Sequence, residues 1–327
     1  MNERDSCDDV ARAALAWYRG IPDQIPTLLS VSENTTYRLD GGSRSWALRV
    51  HRDEYLSENQ IESELIWSQS LQNAGVIATA AVLVSDRGNR VERVVTADGL
   101  RARQCVIFDW LQGAEPAEDA IIEHFAEVGA ISARMHRFSR AWTPPVGFDR
   151  PTWNFDTMLG STPRWGRWQD GHDVDGPTMS LFARTVETIR QRLDQYGTNQ
   201  GRFGLIHADM RLANLLVTAA TTSVIDFDDC GFGWYMYDLA AALSFIEDRS
   251  DVGEAVEQWI TGYREIAPLA DVDIDIIPTM IMMRRLLLVA WLGSRPTADV
   301  GPDRRGSFTE TTCALADRYL RHQGQTA

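Results

Sequence analysis

Residues 205–216 of this 327-residue chain read LIHADMRLANLL. Apolar pairs at 205–206 and 215–216 enclose a short polar stretch, a pattern that predicts two strand ends joined by a loop. Inside this loop, Asp209 stands five residues before Asn214. Asp209 could be a turn or cap residue, but the Asn five residues on and a second carboxylate at Asp226 favour a loop that carries chemistry.

The residues after this loop predict a hairpin. The stretch VTAATTSVIDFDD (217–229) reads as a short strand, a polar turn and a second strand that ends at Asp226. A hairpin of this size is expected to fold Asp226 back beside Asp209 and Asn214. Two carboxylates and an amide at one loop mouth suit phosphoryl transfer, which needs oxygen ligands for Mg²⁺ and a carboxylate that orients and deprotonates the attacking hydroxyl.

These requirements assign a role to each polar residue. Asp209 is the predicted base, and Asn214 and Asp226 are the predicted metal ligands. Arg211 stands two residues past Asp209, where its charge is expected to offset that of the transferring phosphoryl group.

The first hundred residues predict strands interrupted by one helix. Residues 36–52 read as strand, Asp-Gly-Gly turn and strand, and further strands are predicted over 75–85, 90–97 and 102–111. The helix is predicted over 57–75, since Ser57 and Gln60 have capping-box spacing at its start and a glycine ends it.

Beyond Gly113 the pattern becomes helical. Helices are predicted over 118–140, where small residues would allow close packing, and over 178–196. The sequence therefore predicts an α+β protein with an N-terminal lobe over 1–111 and a mainly helical lobe over 112–327.

A buried ion pair is predicted between the second predicted strand and the helix. Strand alternation places Arg49 on the face opposite Trp46 and Leu48. Glu64 falls within the apolar stripe of the predicted helix, whereas Glu62 points away. A carboxylate that faces inward needs a partner, and Arg49 is the predicted one.

The composition limits the chemistry that the chain can use. All 32 Lys+Arg residues are arginines, which excludes reactions that need a lysine. The net charge of −14 disfavours nucleic acid and anionic membranes as partners and is compatible with a cationic substrate. The four cysteines are scattered without metal-ligand spacing, so a reducing, cytoplasmic compartment is expected. The apolar run at 276–293 contains Arg284 and Arg285, so no membrane span is expected.

Several motifs together resemble a known family. HADMRLAN (207–214) followed by IDFD (225–228) is similar to the catalytic and metal-binding loops of protein-kinase-like enzymes, most of all the aminoglycoside phosphotransferase and choline kinase-like family. Residues 32–52 resemble that family's nucleotide loop and following strand, FDWLQG (108–113) resembles its hinge, and VGAISARMHRFS (128–139) resembles its helix ending in Leu/Met-His.

The resemblance implies a fold and an activity. The expected fold is bilobal and protein-kinase-like, with an antiparallel sheet in the N-terminal lobe. The expected reaction is Mg²⁺-dependent transfer of the γ-phosphate of ATP or GTP to a hydroxyl of a small polar molecule, such as an aminoglycoside-, homoserine- or hydroxylysine-like acceptor. The implied nucleotide-binding residues are Ser32, Asn34, Arg49, Glu64, Phe108, Asp109, Trp110 and Leu111.

Other polar and aromatic residues have two interpretations each. Asp228 and Asp229 could bind substrate or a second metal, or could lie in a solvated loop. Trp153 and Trp168 could line an acceptor pocket or pack between helices. His136 and His207 are predicted to be structural, and Asp238 is predicted to cap a helix or to anchor the catalytic loop. The charges of Arg284 and Arg285 are predicted to pair within the protein rather than contact substrate.

Rival functions are a protein Ser/Thr kinase of the bacterial stress-response type and a non-catalytic nucleotide-binding scaffold. Against the first, residues from Tyr235 onward already predict the next helix, which leaves no activation segment. Against the second, a scaffold has no need for all of Asp209, Asn214 and Asp226. A metal-dependent hydrolase would need clustered histidines that the six histidines do not provide. The acceptor, the choice of ATP or GTP and the oligomeric state stay open.

Overall fold

The computed structural model describes residues 3–31, 34–53, 55–95, 99, 102–117, 122–295 and 302–326. The strands in this part of the chain are β1 Thr27–Val31, β2 Thr35–Asp40, β3 Ser45–Val50, β4 Glu92–Val95, β5 Ala102–Asp109, β6 Thr152–Trp153, β7 Phe203–Ile206, β8 Leu215–Val217, β9 Thr222–Val224 and β10 Gly231–Trp234. The α-helices are α1 Glu3–Ala14, α2 Glu58–Asn73, α3 Phe125–Ala141, α4 Phe155–Met158, α5 Gly176–Tyr196, α6 Tyr237–Ala242, α7 Val252–Ile266, α8 Asp271–Asp275, α9 Ile277–Ser294 and α10 Pro302–Thr326. The predicted α+β class is confirmed.

The chain forms two compact units. The first unit consists of Met1–Ala114, Pro144–Arg150 and Leu215–Asp228, and the second consists of Glu115–Thr143, Pro151–Asn214 and Asp229–Ala327. The boundary near residue 111 stays a prediction, and the first unit also takes up two later segments of the chain.

The first unit is built on a five-stranded antiparallel sheet with the order β1-β2-β3-β5-β4. On β3, alternate residues Trp46, Leu48 and Val50 are buried in one core cluster together with apolar residues of α1. Arg49, between them in sequence, is also buried, which is possible for a charged residue only when it is paired. The strand alternation predicted here is confirmed.

Helix α2 begins as the sequence predicts. Ser57 is its N-cap, its hydroxyl accepts from the Gln60 amide, and the Gln60 side chain accepts from the Ser57 amide. Glu64 is buried within the apolar stripe, whereas Glu62 is partly exposed and pairs with Arg90 at 2.7 Å.

The strand predicted over 75–85 is wrong. This segment pairs only through isolated bridges, Ala78 with Ser223 and Val82 with Phe108. Ala81 and Leu83 each make one backbone hydrogen bond to a residue of β5. Its β-branched residues gave the signal of a strand, but its backbone serves two different neighbours and forms no continuous ladder with either.

Small residues bring α3 and α7 together in the second unit. A Cβ added at Gly262 would overlap the backbone of Ala126, and one added at Gly129 would overlap the carbonyl oxygen of Trp259. The two helices therefore touch backbone to backbone, as the small residues of α3 predict. The other predicted helix, over 178–196, is confirmed as α5.

A short three-stranded sheet with the order β6-β10-β7 lies in the second unit. Strand β10 was not predicted. Its sequence is GFGW, and both glycines have a packing reason, since a Cβ at Gly231 would meet the Pro151 carbonyl and one at Gly233 would meet Ile206. Strand β7 runs directly into the polar loop at residues 207–214.

Among the described residues, one stretch, Asp271–Ser294, has the length and composition of a membrane span, and 78% of its most apolar window is buried inside the protein. A buried core helix of a soluble protein can have the same length and apolar composition. Both arginines of this stretch, Arg284 and Arg285, are buried.

Candidate active site

The second unit holds Asp209 in a loop whose backbone is unusual. The loop follows β7 and leads into a 3-10 turn at Leu212–Asn214. Ala208 has φ of 65°, a left-handed conformation that costs energy for a residue with a Cβ. Such a conformation persists only where neighbouring groups hold it in place.

Asp238, in the first turn of α6, holds this loop from one side. Its Oδ1 accepts from the Ala208 amide at 2.7 Å, and its Oδ2 accepts from the His207 amide at 3.3 Å and from His136 Nε2 at 2.9 Å. The role of anchor predicted for Asp238 is confirmed. The alternative role of N-cap is wrong, because Asp238 lies within the helix and Met236 precedes its first residue as the cap.

The two predicted structural histidines are buried. Burial lowers the pKa of His136 despite its contact with Asp238, so the ring is neutral. Because the Asp238 carboxylate can only accept, His136 Nε2 carries the proton and Nδ1 accepts from Tyr263 at 3.2 Å. His207 Nδ1 accepts from the Asp209 amide at 3.3 Å.

Three side chains donate to the Asp209 carboxylate. Arg284 Nη2 lies 2.7 Å from Oδ1, while Arg211 Nε and Asn214 Nδ2 lie 3.1 Å and 2.9 Å from Oδ2. Burial by itself would raise the pKa of Asp209, but the charges of Arg211 and Arg284 outweigh it and lower that pKa to about 2. Asp209 is therefore ionised at every physiological pH.

Asn214 is fixed by the same carboxylate. Its amide nitrogen donates both to Asp209 Oδ2 at 2.9 Å and to the Asp209 carbonyl at 2.8 Å. Both amide hydrogens are thereby used, which leaves Oδ1 as the acceptor end of the side chain. An amide oxygen held this way is a suitable ligand for a hard cation.

The first unit contains the predicted pair of Arg49 and Glu64. Arg49 Nη2 donates to Glu64 Oε1 at 2.6 Å, and both side chains are buried. The pairing is confirmed. Burial raises the pKa of Glu64. Burial by itself would lower the pKa of Arg49, but the nearby carboxylates of Glu64, Asp228 and Asp226 outweigh it and raise that pKa.

Asp226 follows the β8–β9 hairpin. The hairpin has the predicted form, with Leu215 paired with Val224. The Asp226 side chain is 42% exposed and lies 3.6 Å from Arg49 Nη1. Its φ of 60° is again left-handed, so this residue is held in a strained conformation with its carboxylate accessible.

Asp228, two residues on, is buried rather than solvated. Its Oδ1 lies 3.6 Å from His51 Nδ1, and its carbonyl accepts from Arg150. The solvated-loop alternative is wrong for Asp228. His51 has its pKa well below the usual range because it is buried and faces Arg49 and Arg150.

The other predicted nucleotide-binding residues differ in their surroundings. Ser32 lies outside the described residues, and the Asn34 side chain accepts from the Arg52 amide at 3.2 Å. Phe108 faces the Arg49 guanidinium at 5.1 Å, and Asp109 pairs with Arg44 at 2.6 Å. Trp110 stacks with Arg38, and Leu111 is half-buried.

The predicted acceptor residues lie mainly in the interior of the second unit. Trp153, Trp165 and Trp168 are buried, which agrees with the packing alternative, and Trp153 Nε1 donates to the Asp229 carbonyl at 2.7 Å. The Asp229 side chain is half-buried.

Arg284 is the functional candidate that sequence reasoning did not place at the site. Its charge was predicted to pair within the protein, and it does, but the partner is Asp209 itself. The signal was present in the sequence, because a charge inside an apolar helix must have a buried partner. Arg285 pairs with Glu247 at 2.7 Å.

Comparison with known proteins agrees with these arrangements. The sequence profile of the phosphotransferase enzyme family matches residues 25–270. The chain belongs to this family. The predicted enzyme class, a kinase-type phosphotransferase with an alcohol group as acceptor, is confirmed, as is the resemblance stated from the motifs.

Among solved structures, this phosphotransferase is similar to the microcompartment-associated aminopropanol kinase. The two are 41% identical, with a TM-score of 0.89 over 96% of this chain and 98% of that one. The chain is also similar to a solved structure of amicoumacin kinase in complex with AMP-PNP, Ca²⁺ and Ami. The two are 21% identical, with a TM-score of 0.77 over 97% of this chain and 94% of that one, a similarity that supports the shared fold and nothing more. Amicoumacin kinase of Bacillus subtilis (strain 168) is 23% identical over 300 residues, 87% of this chain and 84% of that protein. The protein-kinase-like fold is thereby confirmed.

Proposed function

We propose that this phosphotransferase transfers the γ-phosphate of ATP, with GTP as the alternative donor, to the hydroxyl of a small amino alcohol. The observation that carries the reaction type is the state of Asp209, which is buried, ionised and fixed by three donors. The acceptor class rests on the 41% identity to an aminopropanol kinase across nearly the full length of both chains. The net charge of −14 is compatible with a cationic acceptor.

Asp209 orients the acceptor hydroxyl in this proposal. A carboxylate with a pKa of about 2 is a weak base, so it binds the hydroxyl strongly but takes the proton only as the O–P bond forms. The acceptor oxygen bonds to the γ-phosphorus while the bond from that phosphorus to the β,γ-bridging oxygen breaks. The products are the phosphorylated alcohol and the nucleoside diphosphate, and the proton passes from Asp209 to solvent.

Asn214 and Asp226 have the donor atoms that a divalent cation needs. Asn214 offers a fixed amide oxygen and Asp226 an accessible carboxylate, and both flank the β8–β9 hairpin in sequence. Such a cation, Mg²⁺ in this proposal, would neutralise phosphate charge when bound with nucleotide.

Arg49 is the proposed phosphate ligand of the first unit. A guanidinium can donate to two phosphate oxygens, and Glu64 holds it in place at 2.6 Å. The base of the nucleotide would lie at residues 108–111, and Asn34 would be near the phosphates. Ser32 stays a predicted nucleotide-binding residue that lies outside the described residues. Asp228, Asp229, Trp153 and Trp168 stay proposals as acceptor residues. A cytoplasmic location, expected from the scattered cysteines, is likewise a proposal.

The test uses γ-labelled ATP, and separately GTP, with Mg²⁺ and a panel of acceptors. The panel contains aminopropanol, ethanolamine, homoserine, hydroxylysine, an aminoglycoside and a pool of cell proteins. We expect label on aminopropanol or another small amino alcohol, identified by mass.

Asp209→Asn is the control, because the amide cannot accept the hydroxyl proton. Label on proteins alone would instead support the stress-response kinase alternative. Transfer that is unaffected by Asp209→Asn would overturn the proposed mechanism.

A further inference from the structure

Two adjacent arginines in helix α9 have different surroundings. Arg284 and Arg285 are 2% and 1% exposed, in a helix whose other residues at 280–292 are almost all apolar. Burial of a guanidinium is costly unless its N–H groups are paired, so each side chain must be held by specific partners. The partners decide what each arginine can do.

Arg284 contacts the catalytic loop directly. Its Nη2 donates to Asp209 Oδ1 at 2.7 Å, and its Nη1 donates to the Ala208 carbonyl at 3.3 Å and to the Tyr237 hydroxyl at 3.0 Å. Its Nε donates to Ser244 Oγ at 2.8 Å, and Ser244 in turn donates to the Ala241 carbonyl. The guanidinium also lies 5.0 Å from the Trp165 ring. Its orientation is thus fixed on every side.

The donors around Asp209 are unequally divided between its two oxygens. Oδ2 accepts from Arg211 and Asn214, which uses both of its lone pairs, whereas Oδ1 accepts from Arg284. Oδ1 therefore has acceptor capacity for one more donor. An acceptor hydroxyl that binds Asp209 would bind Oδ1, directly beside the Arg284 guanidinium.

We propose that Arg284 is a positioning residue for phosphoryl transfer, which fixes Asp209 so that Oδ1 receives the acceptor hydroxyl. This inference rests on the proposed role of Asp209. Arg284 acts through two contacts at once, one to the carboxylate and one to the backbone of strained Ala208. A misplacement of a reacting group by ~1 Å can cost on the order of 100-fold in rate.

Arg285 provides the matched control. It is one residue away and equally buried, but it pairs with Glu247, Thr311 and Thr312, and the structure gives it no contact with residues 207–214 among the described residues. Loss of either arginine breaks a buried pair, but only loss of Arg284 disturbs Asp209.

The experiment compares Arg284→Met, Arg284→Lys and Arg285→Met in the full chain with ATP, Mg²⁺ and aminopropanol. Slow transfer of the γ-phosphate to water is measured in parallel, because it needs no acceptor. We expect Arg284→Met to lower kcat by about 100-fold while KM for ATP changes less than about threefold. Arg284→Lys should recover part of the loss, because it keeps the charge but not the fork of donors.

Arg285→Met should leave kcat of the folded protein within about threefold of wild type. Added guanidinium ion should restore activity to Arg284→Ala and not to Arg285→Ala, a response that a purely structural role would not give. If Arg284→Met fails to fold, Arg284→Lys, which keeps the buried charge, carries the comparison of kcat with Arg285→Met.

The outcomes separate the two proposals. If Asp209→Asn abolishes transfer but Arg284→Met matches Arg285→Met in kcat, and guanidinium rescues neither alanine variant, Arg284 has no positioning role. If Asp209→Asn keeps transfer, the proposed role of Asp209 fails before the question of Arg284 arises.

Discussion

Two buried arginine–carboxylate pairs, one in each unit, have nearly the same nitrogen–oxygen distance, but the pKa values of their carboxylates are shifted in opposite directions. Arg49 and Glu64 lie 2.6 Å apart, and Arg284 and Asp209 lie 2.7 Å apart. Burial raises the pKa of Glu64, whereas the pKa of Asp209 is lowered to about 2 because Arg211 and Arg284 outweigh its burial. In the first pair the carboxylate holds the arginine in place, and in the second the arginine holds the carboxylate.

The largest effect is expected from removing the charge of Asp209. We expect Asp209→Asn to lower kcat by about 1,000-fold or more, since the amide cannot accept the hydroxyl proton, while nucleotide affinity changes little. Steady-state kinetics and nucleotide titration check both quantities. A parallel loss of nucleotide affinity would show that the pair of Arg284 and Asp209 also contributes to nucleotide binding. The two pairs would then not differ in function.

A third buried pair, Arg285 and Glu247, tests whether pairing alone explains these arginines. Arg285→Met leaves Glu247 buried without its cation, so we expect the free energy of unfolding to fall by about 3 kcal/mol. Urea unfolding measures this. The double variant Arg285→Met/Glu247→Met should be less destabilised than the single one, and an equal or larger loss would contradict this account.

The pair of Arg49 and Glu64 should affect nucleotide binding more than the rate of phosphoryl transfer. Glu64→Gln removes the charge that holds Arg49, so we expect KM for ATP to rise by about 10-fold with a smaller change in kcat. The matched variant Glu62→Gln alters only a partly exposed pair with Arg90 and should change neither constant. A fall in kcat with unchanged KM would give this pair the role assigned to the second.

The smallest expected effect is an opposite response of the two pairs to acid. The folded-state pKa of Asp209 lies below its ordinary value of 3.8, so its contribution to stability is present above that pH and is lost as the pH falls towards 2. The pKa of Glu64 is raised above 4.5, so its contribution is full below pH 4.5 and is lost as the pH rises through the folded-state value.

The measurement is urea unfolding between pH 3 and pH 7 for wild type, Asp209→Asn and Glu64→Gln. The stability advantage of wild type over Asp209→Asn should shrink by about 1 kcal/mol from pH 5 to pH 3. Relative to Glu64→Gln, wild type should instead lose stability as the pH rises above 4.5. Responses of the same sign would contradict the electrostatic difference between the pairs.

Only one of the two pairs could be predicted from the sequence. Arg49 and Glu64 belong to a strand and a helix with clear periodicity, so the buried face of each element was evident. Arg284 lies in a helix that is apolar on all sides, where no face indicates a direction, and its partner is 75 positions away. The sequence indicates that such a charge needs a partner but not which one.

Strands were predicted well where alternation was complete and poorly where it was not. β2 and β3 have an alternating pattern and lie where it predicts. The run at 75–85 has strand composition but makes only single bridges, and β10 contains two glycines that reduce strand propensity but fit close backbone approaches. These outcomes depend on neighbours that local sequence does not contain.

The glycine contact between α3 and α7 has a mechanical consequence for the loop that holds Asp209. Where two helices touch backbone to backbone, no side chain lies between them that could change rotamer to let them slide. We therefore expect α3 and α7 to move together as one stiff unit. His136 of α3 donates to Asp238, whose carboxylate accepts from the amides of His207 and Ala208. A methyl group added at Gly262, more than 50 positions from Asp209 in sequence, should push α7 away from α3. The support of the loop that carries Asp209 should then become less rigid.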